Sequence, residues 1–167
     1  MTPAYTSPAR ELSNLNVIES AKRTLTFYPI TQADLAKTKA NLSEDATTAI
    51  ILEIALRKFL EVNMSIPYPI NQGLDISNIE CLHQDEPEKI TVRFSDIRHV
   101  KTIFRFVKNL APGQKVSITI PPVLSAKYDE LQTHAYHLRN GNIRHKTVIK
   151  YLGNSIALYA KSPNSSI

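Results

Sequence analysis

The stretch from Ile97 to Leu110, IRHVKTIFRFVKNL, decides the fold that the sequence predicts. On an α-helix, at about 100° per residue, this stretch has one apolar face and one basic face. The apolar face is made of Val100, Ile103, Phe104, Phe106, Val107 and Leu110. The basic face is made of Arg98, Lys101, Arg105 and Lys108. Strand-like runs flank the helix at Lys89–Phe94 and Lys115–Ile120, so the pattern predicts a β-α-β unit.

Further strands and a second helix surround this unit. The strands are predicted over Ile76–Leu82, Lys89–Phe94, Lys115–Ile120, Ile143–Leu152 and Ser155–Lys161. Gly153-Asn154 is the signal of a two-residue hairpin turn, and residues 122–139 are predicted to form the second helix. The fold class is therefore α+β: an N-terminal helical segment followed by a β-β-α-β-α-β-β two-layer sandwich. Its mixed sheet is expected to carry both helices on one face.

The N-terminal half is predicted to be helical. Its helices are expected over Asn14–Thr26, from a capping box at Thr31 to about Asn41, and from Glu44 to Asn63 behind Ser43 as the N-cap. The predicted divisions are a disordered arm (1–12), a helical segment (13–65), a linker (66–73), an α+β domain (74–162) and a tail (163–167). The linker is placed at Pro67 and Pro69, because proline disfavours helix and favours extended chain.

The predicted helix over residues 44–63 is apolar around most of its girth. Such a helix is buried on more than one side. Two interpretations stay open. The helix packs on the other helices and on the sheet, or part of it forms a dimer or partner interface.

Charge is divided unevenly along the chain. The net charge is +5. Residues 1–88 carry seven Lys/Arg and twelve Asp/Glu, which gives −5, whereas residues 89–167 carry thirteen and three, which gives +10. This asymmetry favours a polyanionic partner for the C-terminal half.

Two basic surfaces are candidates for such a partner. The first is the open face of the predicted sheet, with Lys89, Arg93, Arg144, Lys146, Lys150, Lys161 and Tyr159. Proteins hold single-stranded nucleic acid with cations that contact its phosphates and aromatic rings that stack on its bases. This face has residues of both kinds. The second is the basic face of the helix, with Arg98, Lys101, Arg105 and Lys108, whose spacing suits backbone phosphates. Both sets are equally typical of solvated polar faces, and the two surfaces are expected on opposite sides of the domain.

Glu130, His134 and His137 share one sector of the predicted second helix. A carboxylate and two imidazoles are able to hold a metal ion, which would give a metal-dependent hydrolase. The alternative is a solvated face on which Glu130 and His134 form an ordinary i, i+4 pair. That alternative is favoured, and no metal site is assigned.

Signatures of catalysis are missing from the sequence. It contains no Gly-x-Ser-x-Gly motif, only four glycines and no phosphate-binding loop, so a non-enzymatic protein without a cofactor is expected. Cys81 is the only cysteine, which excludes an intramolecular disulfide and suits a reducing compartment. With neither a secretory signal nor a membrane span in sight, a cytoplasmic protein with no membrane partner is expected.

The leading hypothesis is a small nucleic-acid-binding or accessory protein, regulatory in role, that contacts the phosphates of DNA or RNA through its basic α+β domain. The alternative is a protein-interaction or dimerisation module that uses the helix over residues 44–63.

Overall fold

The computed structural model describes residues 8–81, 89–141 and 146–161. The chain divides into two compact units. The central unit runs from Arg23 to Thr119, and the terminal unit combines the residues up to Lys22 with those from Ile120 onward. This division differs from the predicted boundary at 66–73, because helices and strands on both sides of that segment share one hydrophobic core. The α+β class is confirmed.

The central unit is a four-stranded sheet covered by helices. Its elements are β1 (Thr24–Tyr28), α2 (Gln32–Ala40), α3 (Thr48–Val62), α4 (Tyr68–Gly73), β2 (Ile76–Cys81), β3 (Ile90–Phe94), α5 (Ile97–Phe104) and β4 (Lys115–Ile118). The strand order is β2-β3-β1-β4, and every neighbouring pair is antiparallel. With α2 to α4 counted as one connection, this is the β-α-β-β-α-β arrangement of ferredoxin-like folds, in which β1 separates the parallel strands β3 and β4.

The core of the central unit lies on one side of this sheet. Alternate residues of the two inner strands are buried there, namely Leu25, Phe27, Ile90, Val92 and Phe94. Helix α3 covers them with Leu52, Ala55, Leu56, Phe59 and Leu60, and α5 adds Val100 and Ile103. The rings of Phe27 and Phe59 meet edge to face, with centroids 6.0 Å apart. The helices therefore leave the other face of the sheet to polar residues.

The terminal unit is a helix–hairpin pair joined by an N-terminal helix. Its elements are α1 (Pro8–Lys22), α6 (Ser125–Gly141), β5 (Lys146–Leu152) and β6 (Ser155–Lys161). Its small core contains Ile18, Leu124 and Ile156. The predicted hairpin turn is confirmed, since Leu152 pairs with Ser155. Gly153 has φ 61°, a conformation that glycine adopts without a clash because it has no Cβ.

The sequence prediction at the start of the chain is wrong in two respects. Helix α1 begins at Pro8, inside the segment predicted as a disordered arm, of which residues 1–7 lie outside the described residues. The predicted helix over Asn14–Thr26 ends at Lys22, and the chain then enters β1. The sequence TLTFY alternates polar and apolar residues, and two neighbouring strands pair with it, so tertiary pairing overrides a weak helical pattern.

The predicted single mixed sheet is also wrong. Strands β5 and β6 pair only with each other among the described residues, and the four-stranded sheet is wholly antiparallel between neighbours. The reason is β1, a strand that the prediction did not include, which pairs with both β3 and β4.

Two boundaries in the N-terminal half need correction. Helix α3 begins after Thr47, whose hydroxyl accepts the Ile50 N–H at 3.3 Å, and not after Ser43. The predicted linker contains helix α4, because Pro67 and Pro69 stand at the N-cap and in the first turn, where a helix needs no amide donor. The capping box at Thr31 is confirmed: Thr31 and Asp34 each accept a hydrogen bond from the other's N–H.

The helix predicted over Ile97–Leu110 ends early. Helix α5 stops at Phe104, and a 3₁₀ turn follows at Val107–Asn109. The N–H groups of Arg105 and Phe106 bond to carbonyls three residues back, at 3.1 and 3.0 Å, so the last turn tightens instead of continuing.

Candidate functional site

The four-stranded sheet has a polar face on the side away from α3 and α5, which we call the open sheet face. Its residues are Thr24, Thr26 and Tyr28 on β1, Thr91 and Arg93 on β3, Lys115 and Ser117 on β4, and Lys89 directly before β3. All of them are partly or largely accessible, whereas their strand neighbours Leu25, Phe27, Ile90 and Val92 are buried. The period of two along each strand thus separates core from surface.

Tyr28 lies at one end of the open sheet face between two lysines. Lys115 is its direct register partner on β4. The Nζ atoms of Lys89 and Lys115 are each 5.9 Å from the centroid of the Tyr28 ring, and both lysines are exposed. This distance is that of a cation–π contact. The site therefore combines a partly accessible aromatic ring with two ammonium groups that remain open to solvent.

Hydroxyl groups and one guanidinium form the rest of the face. The Oγ1 atoms of Thr26 and Thr91, on neighbouring strands, are 3.1 Å apart and share a hydrogen bond. Arg93 donates from Nε to the Oγ of Ser77 at 3.3 Å, and this hydroxyl donates to the Arg93 carbonyl at 3.0 Å. These bonds hold the Arg93 side chain over β2, where an irregularity interrupts the register between Ile76 and Asn78.

The basic helix surface lies on the opposite side of the central unit, since α5 packs on the buried face of the sheet. Arg98, Lys101, Arg105 and Lys108 are all exposed. Only Arg98 and Lys101 belong to α5, because Arg105 is its C-cap and Lys108 lies in the 3₁₀ turn. The predicted stripe is therefore not a single helical face.

Arg98 is already engaged by an acid. It donates to Asp96 Oδ2 from Nε and Nη2, at 3.0 and 2.7 Å. Asp96 is also the N-cap of α5 and accepts the Arg98 N–H at 2.8 Å. The Arg98 side-chain hydrogen bonds, with the N-cap bond beside them, lower the pKa of Asp96 to about 2, and the pKa of Arg98 is raised. The negative charge of Asp96 therefore offsets one of the four positive charges of the predicted basic helix face.

The remaining predicted sheet residues belong to the hairpin of the terminal unit. Lys150 and Tyr159 share its outer face, where the lysine Nζ is 5.9 Å from the tyrosine ring centroid. Lys146 and Lys161 are opposite each other in the register, but their side chains, like the whole of Arg144, lie outside the described part. The single basic sheet face predicted from the sequence is thus two separate faces on two sheets.

The three residues considered for a metal do not form a site. Glu130, His134 and His137 are exposed on α6. Within the described ranges, no group of three or more His, Cys, Asp or Glu side chains is placed to hold a metal ion. Glu130 and His134 instead lie at the rim of a groove beside β6. The hydrolase alternative has no support from these side chains.

Sequence reasoning finds Lys89 and Arg93 but misses Tyr28 and Lys115, which form the aromatic–cation cluster together with Lys89. Tyr28 lies two residues after the end of the predicted first helix and directly before Pro29, so the prediction assigned it to no strand. The signal that identifies it is the alternation in TLTFY, which places Tyr28 on the same strand face as Thr24 and Thr26.

Comparison with known proteins adds no assignment: the chain matches no protein-family model and no curated protein. The β-α-β-β-α-β arrangement itself serves many unrelated functions, so function is argued from the site. Among the helices in the described ranges, none combines the length and apolar character needed to cross a membrane.

Proposed function

We propose that this protein is a small non-enzymatic nucleic-acid-binding protein that holds a single strand on the open sheet face of its central unit. The observation that carries the proposal is the position of Lys89 and Lys115, each 5.9 Å from the Tyr28 ring centroid. A base stacks on the tyrosine, and the two ammonium groups contact the phosphates on either side of it.

The chemistry of the face suits this ligand. An exposed aromatic ring accepts any base by stacking, which contributes about 1–3 kcal/mol per base. Lysines supply the phosphate contacts that dominate affinity for nucleic acids. The hydroxyls of Thr26, Thr91 and Ser117 offer donors and acceptors to base edges or to a ribose 2′-OH.

The hairpin of the terminal unit repeats the same combination on a smaller scale. Lys150 and Tyr159 form one aromatic–cation pair with an exposed outer face. We treat this pair as a second, smaller contact surface for nucleic acid. The helix surface ranks lower, because Arg98 is paired with Asp96.

The test is a binding titration with fluorescently labelled single-stranded DNA, single-stranded RNA and duplex DNA. The variant K89E/K115E reverses the two cations beside Tyr28 and leaves Arg93 of the open sheet face in place, and K101E/R105E makes the same charge change on the opposite side of the central unit. We expect single strands to bind more tightly than duplex. K89E/K115E should weaken that binding by about tenfold or more, and its salt dependence should fall by about 0.7 in log–log slope for each phosphate that the variant no longer neutralises.

Several results would contradict the proposal. Binding that is absent at low salt, or that does not change with salt, excludes phosphate contacts. Equal losses in K89E/K115E and K101E/R105E would mean that only net charge matters. The variant K150E tests the hairpin surface separately, since it changes the terminal unit alone.

The interaction-module alternative has one supporting observation. Helix α3 leaves Ile50, Ile54 and Val62 exposed although its other face is fully packed. A partner that covers this side of α3 would bury them. The substitution Ile54→Glu should abolish such an association and leave nucleic-acid binding unchanged, which separates the two functions.

A further inference from the structure

The outer edge of β6 has backbone groups with which no described strand pairs. Among the described residues, β6 pairs with β5 alone. The two-residue turn makes Leu152 and Ser155 a hydrogen-bonded pair, and such pairs alternate along a hairpin. The N–H and C=O groups of Ile156, Leu158 and Ala160 therefore point away from β5, toward a strand that is not present in the described part of the chain.

A groove of about 490 Å³ lies beside this edge, between β6 and α6. Leu131 and Leu138 of α6 and Ile156 and Leu158 of β6 line it. Ala157 lines it too, although its side chain is on the other face of the hairpin. The cavity touches four residues of β6 and, among the described residues, none of β5, so it lies toward the outer edge of β6.

The edge also lacks the usual protection against pairing. Exposed edge strands are commonly interrupted by proline, by a bulge or by charged side chains. The residues 156–160, IALYA, contain neither proline nor charge, and their register with β5 is continuous. The only charged residue of β6 is Lys161 at its end, so residues 156–160 leave an edge that is open to another strand.

We propose that the occupant is the same edge of a second copy of this chain. Two β6 strands pair antiparallel, and the two hairpins become one four-stranded sheet with a twofold axis at Leu158. Because both copies use the same edge, the twofold axis closes the assembly at a dimer, and the interface is isologous. Ile156 then stands opposite the partner's Ala160, a large side chain against a small one.

The helices fit the same arrangement. Two strands span roughly 9–10 Å, which matches the distance of about 8–10 Å between the axes of packed helices. Because each copy has one α6 for two strands, α6 and its symmetry mate lie side by side on one face of the joined sheet. The groove side of α6 carries Lys127, Glu130 and His134, so both signs of charge are present for antiparallel contact between the two helices.

The first test is the molar mass of the full chain, by light scattering over a range of concentrations. We expect twice the monomer mass of 18.8 kDa. Leu158→Lys places two like charges opposite each other on the axis and should give a monomer. Val148→Lys is the matched control, because Val148 is 44% exposed on the outer face of β5, and it should remain dimeric. Circular dichroism verifies that both variants fold. A monomer at every concentration overturns the proposal.

The second test does not require the fold to tolerate a lysine at residue 158. In a Cys81→Ser background, which removes the only native cysteine, Leu158→Cys should form an intermolecular disulfide under mild oxidation. Hydrogen-bonded antiparallel partners have Cα atoms about 5.5 Å apart, which is within disulfide range. Val148→Cys should not cross-link. A dimer that resists cross-linking at residue 158 and dissociates on Ile54→Glu would assign the interface to α3 and overturn the proposal.

Discussion

Lys115 stands opposite Tyr28 in the register of β4 and β1, and its Nζ is 5.9 Å from the centroid of the tyrosine ring. Lys89, directly before β3 on the other side of β1, reaches the same ring at the same distance. The ring is therefore fixed between two cations on an inner strand of the sheet. Its position depends on three segments that are distant in sequence and adjacent only after folding.

The Tyr28 ring is expected to contribute more to single-strand binding than any other aromatic residue. Tyr28→Ala should weaken binding of an oligonucleotide of about 12 bases by about 5- to 150-fold, because a stacked base contributes about 1–3 kcal/mol. Tyr28→Phe should bind nearly as well as the wild type, since it keeps the ring. Fluorescence anisotropy measures both. An equal loss in the two variants would contradict stacking and point to the phenol hydroxyl.

Thr47, and not Ser43, is expected to stabilise the start of α3. Thr47→Ala should lower the free energy of unfolding by about 1 kcal/mol, because the N–H of Ile50 loses its hydroxyl acceptor. Ser43→Ala is the matched control and should change stability by less than about 0.5 kcal/mol, as at an ordinary surface position. Urea denaturation followed by circular dichroism gives both values. A larger cost at Ser43 would place the helix start four residues earlier.

The elements that can be predicted from the sequence are those with local signals. Three examples are the capping box at Thr31 and Asp34, the hairpin turn at Gly153 and the apolar face of α6. Each depends on residues within a few positions of one another. Strand β1 has only the short alternation of TLTFY, which overlaps a helical pattern. Leu25 fits both a helical and a strand period, and the decision comes from β3, where Thr91 bonds to Thr26 from 65 residues away.

The same limit applies to the candidate site. Lys89 and Arg93 can be predicted because β3 has a clear strand pattern of its own. Tyr28 is harder to predict, because the alternation of its short strand begins inside a stretch with a helical pattern. Lys150 and Tyr159 do share an exposed strand face, but it belongs to a different sheet from the predicted one, since composition and alternation do not determine which strands are neighbours.

Arg57 is expected to hold α4 and its C-cap residue Leu74 to α3. Its guanidinium donates to the Asn71 carbonyl at 2.6 Å, to the Leu74 carbonyl at 2.9 Å and to Glu53 Oε1 at 3.0 and 3.1 Å. Arg57→Met should lower the free energy of unfolding by about 2–4 kcal/mol, because those carbonyls lose a charged donor in a partly buried site.

The measurement for Arg57 is urea denaturation, with Lys58→Met as the control. Lys58 is the next residue on α3 and is exposed, so its replacement should change stability by about 0.5 kcal/mol or less. Asn71→Ala should be nearly as costly as Arg57→Met, since Asn71 is buried and donates to the Arg57 carbonyl at 3.0 Å. Equal stabilities for the Arg57 and Lys58 variants would show that this network is not needed for the fold.

Tyr151 is expected to make the terminal unit sensitive to alkaline pH. Burial raises the pKa of the Tyr151 hydroxyl from 10.0 to about 12. A pKa that is higher in the folded state means that the neutral phenol favours folding. That contribution is complete below about pH 10 and is lost as the pH rises through about 12.

Near-ultraviolet absorbance should show one tyrosine ionising after the exposed ones, and Tyr151→Phe should remove this late step. Tyr136→Phe, at an exposed position on α6, should leave it in place, and a late step that survives in Tyr151→Phe would assign it to another tyrosine.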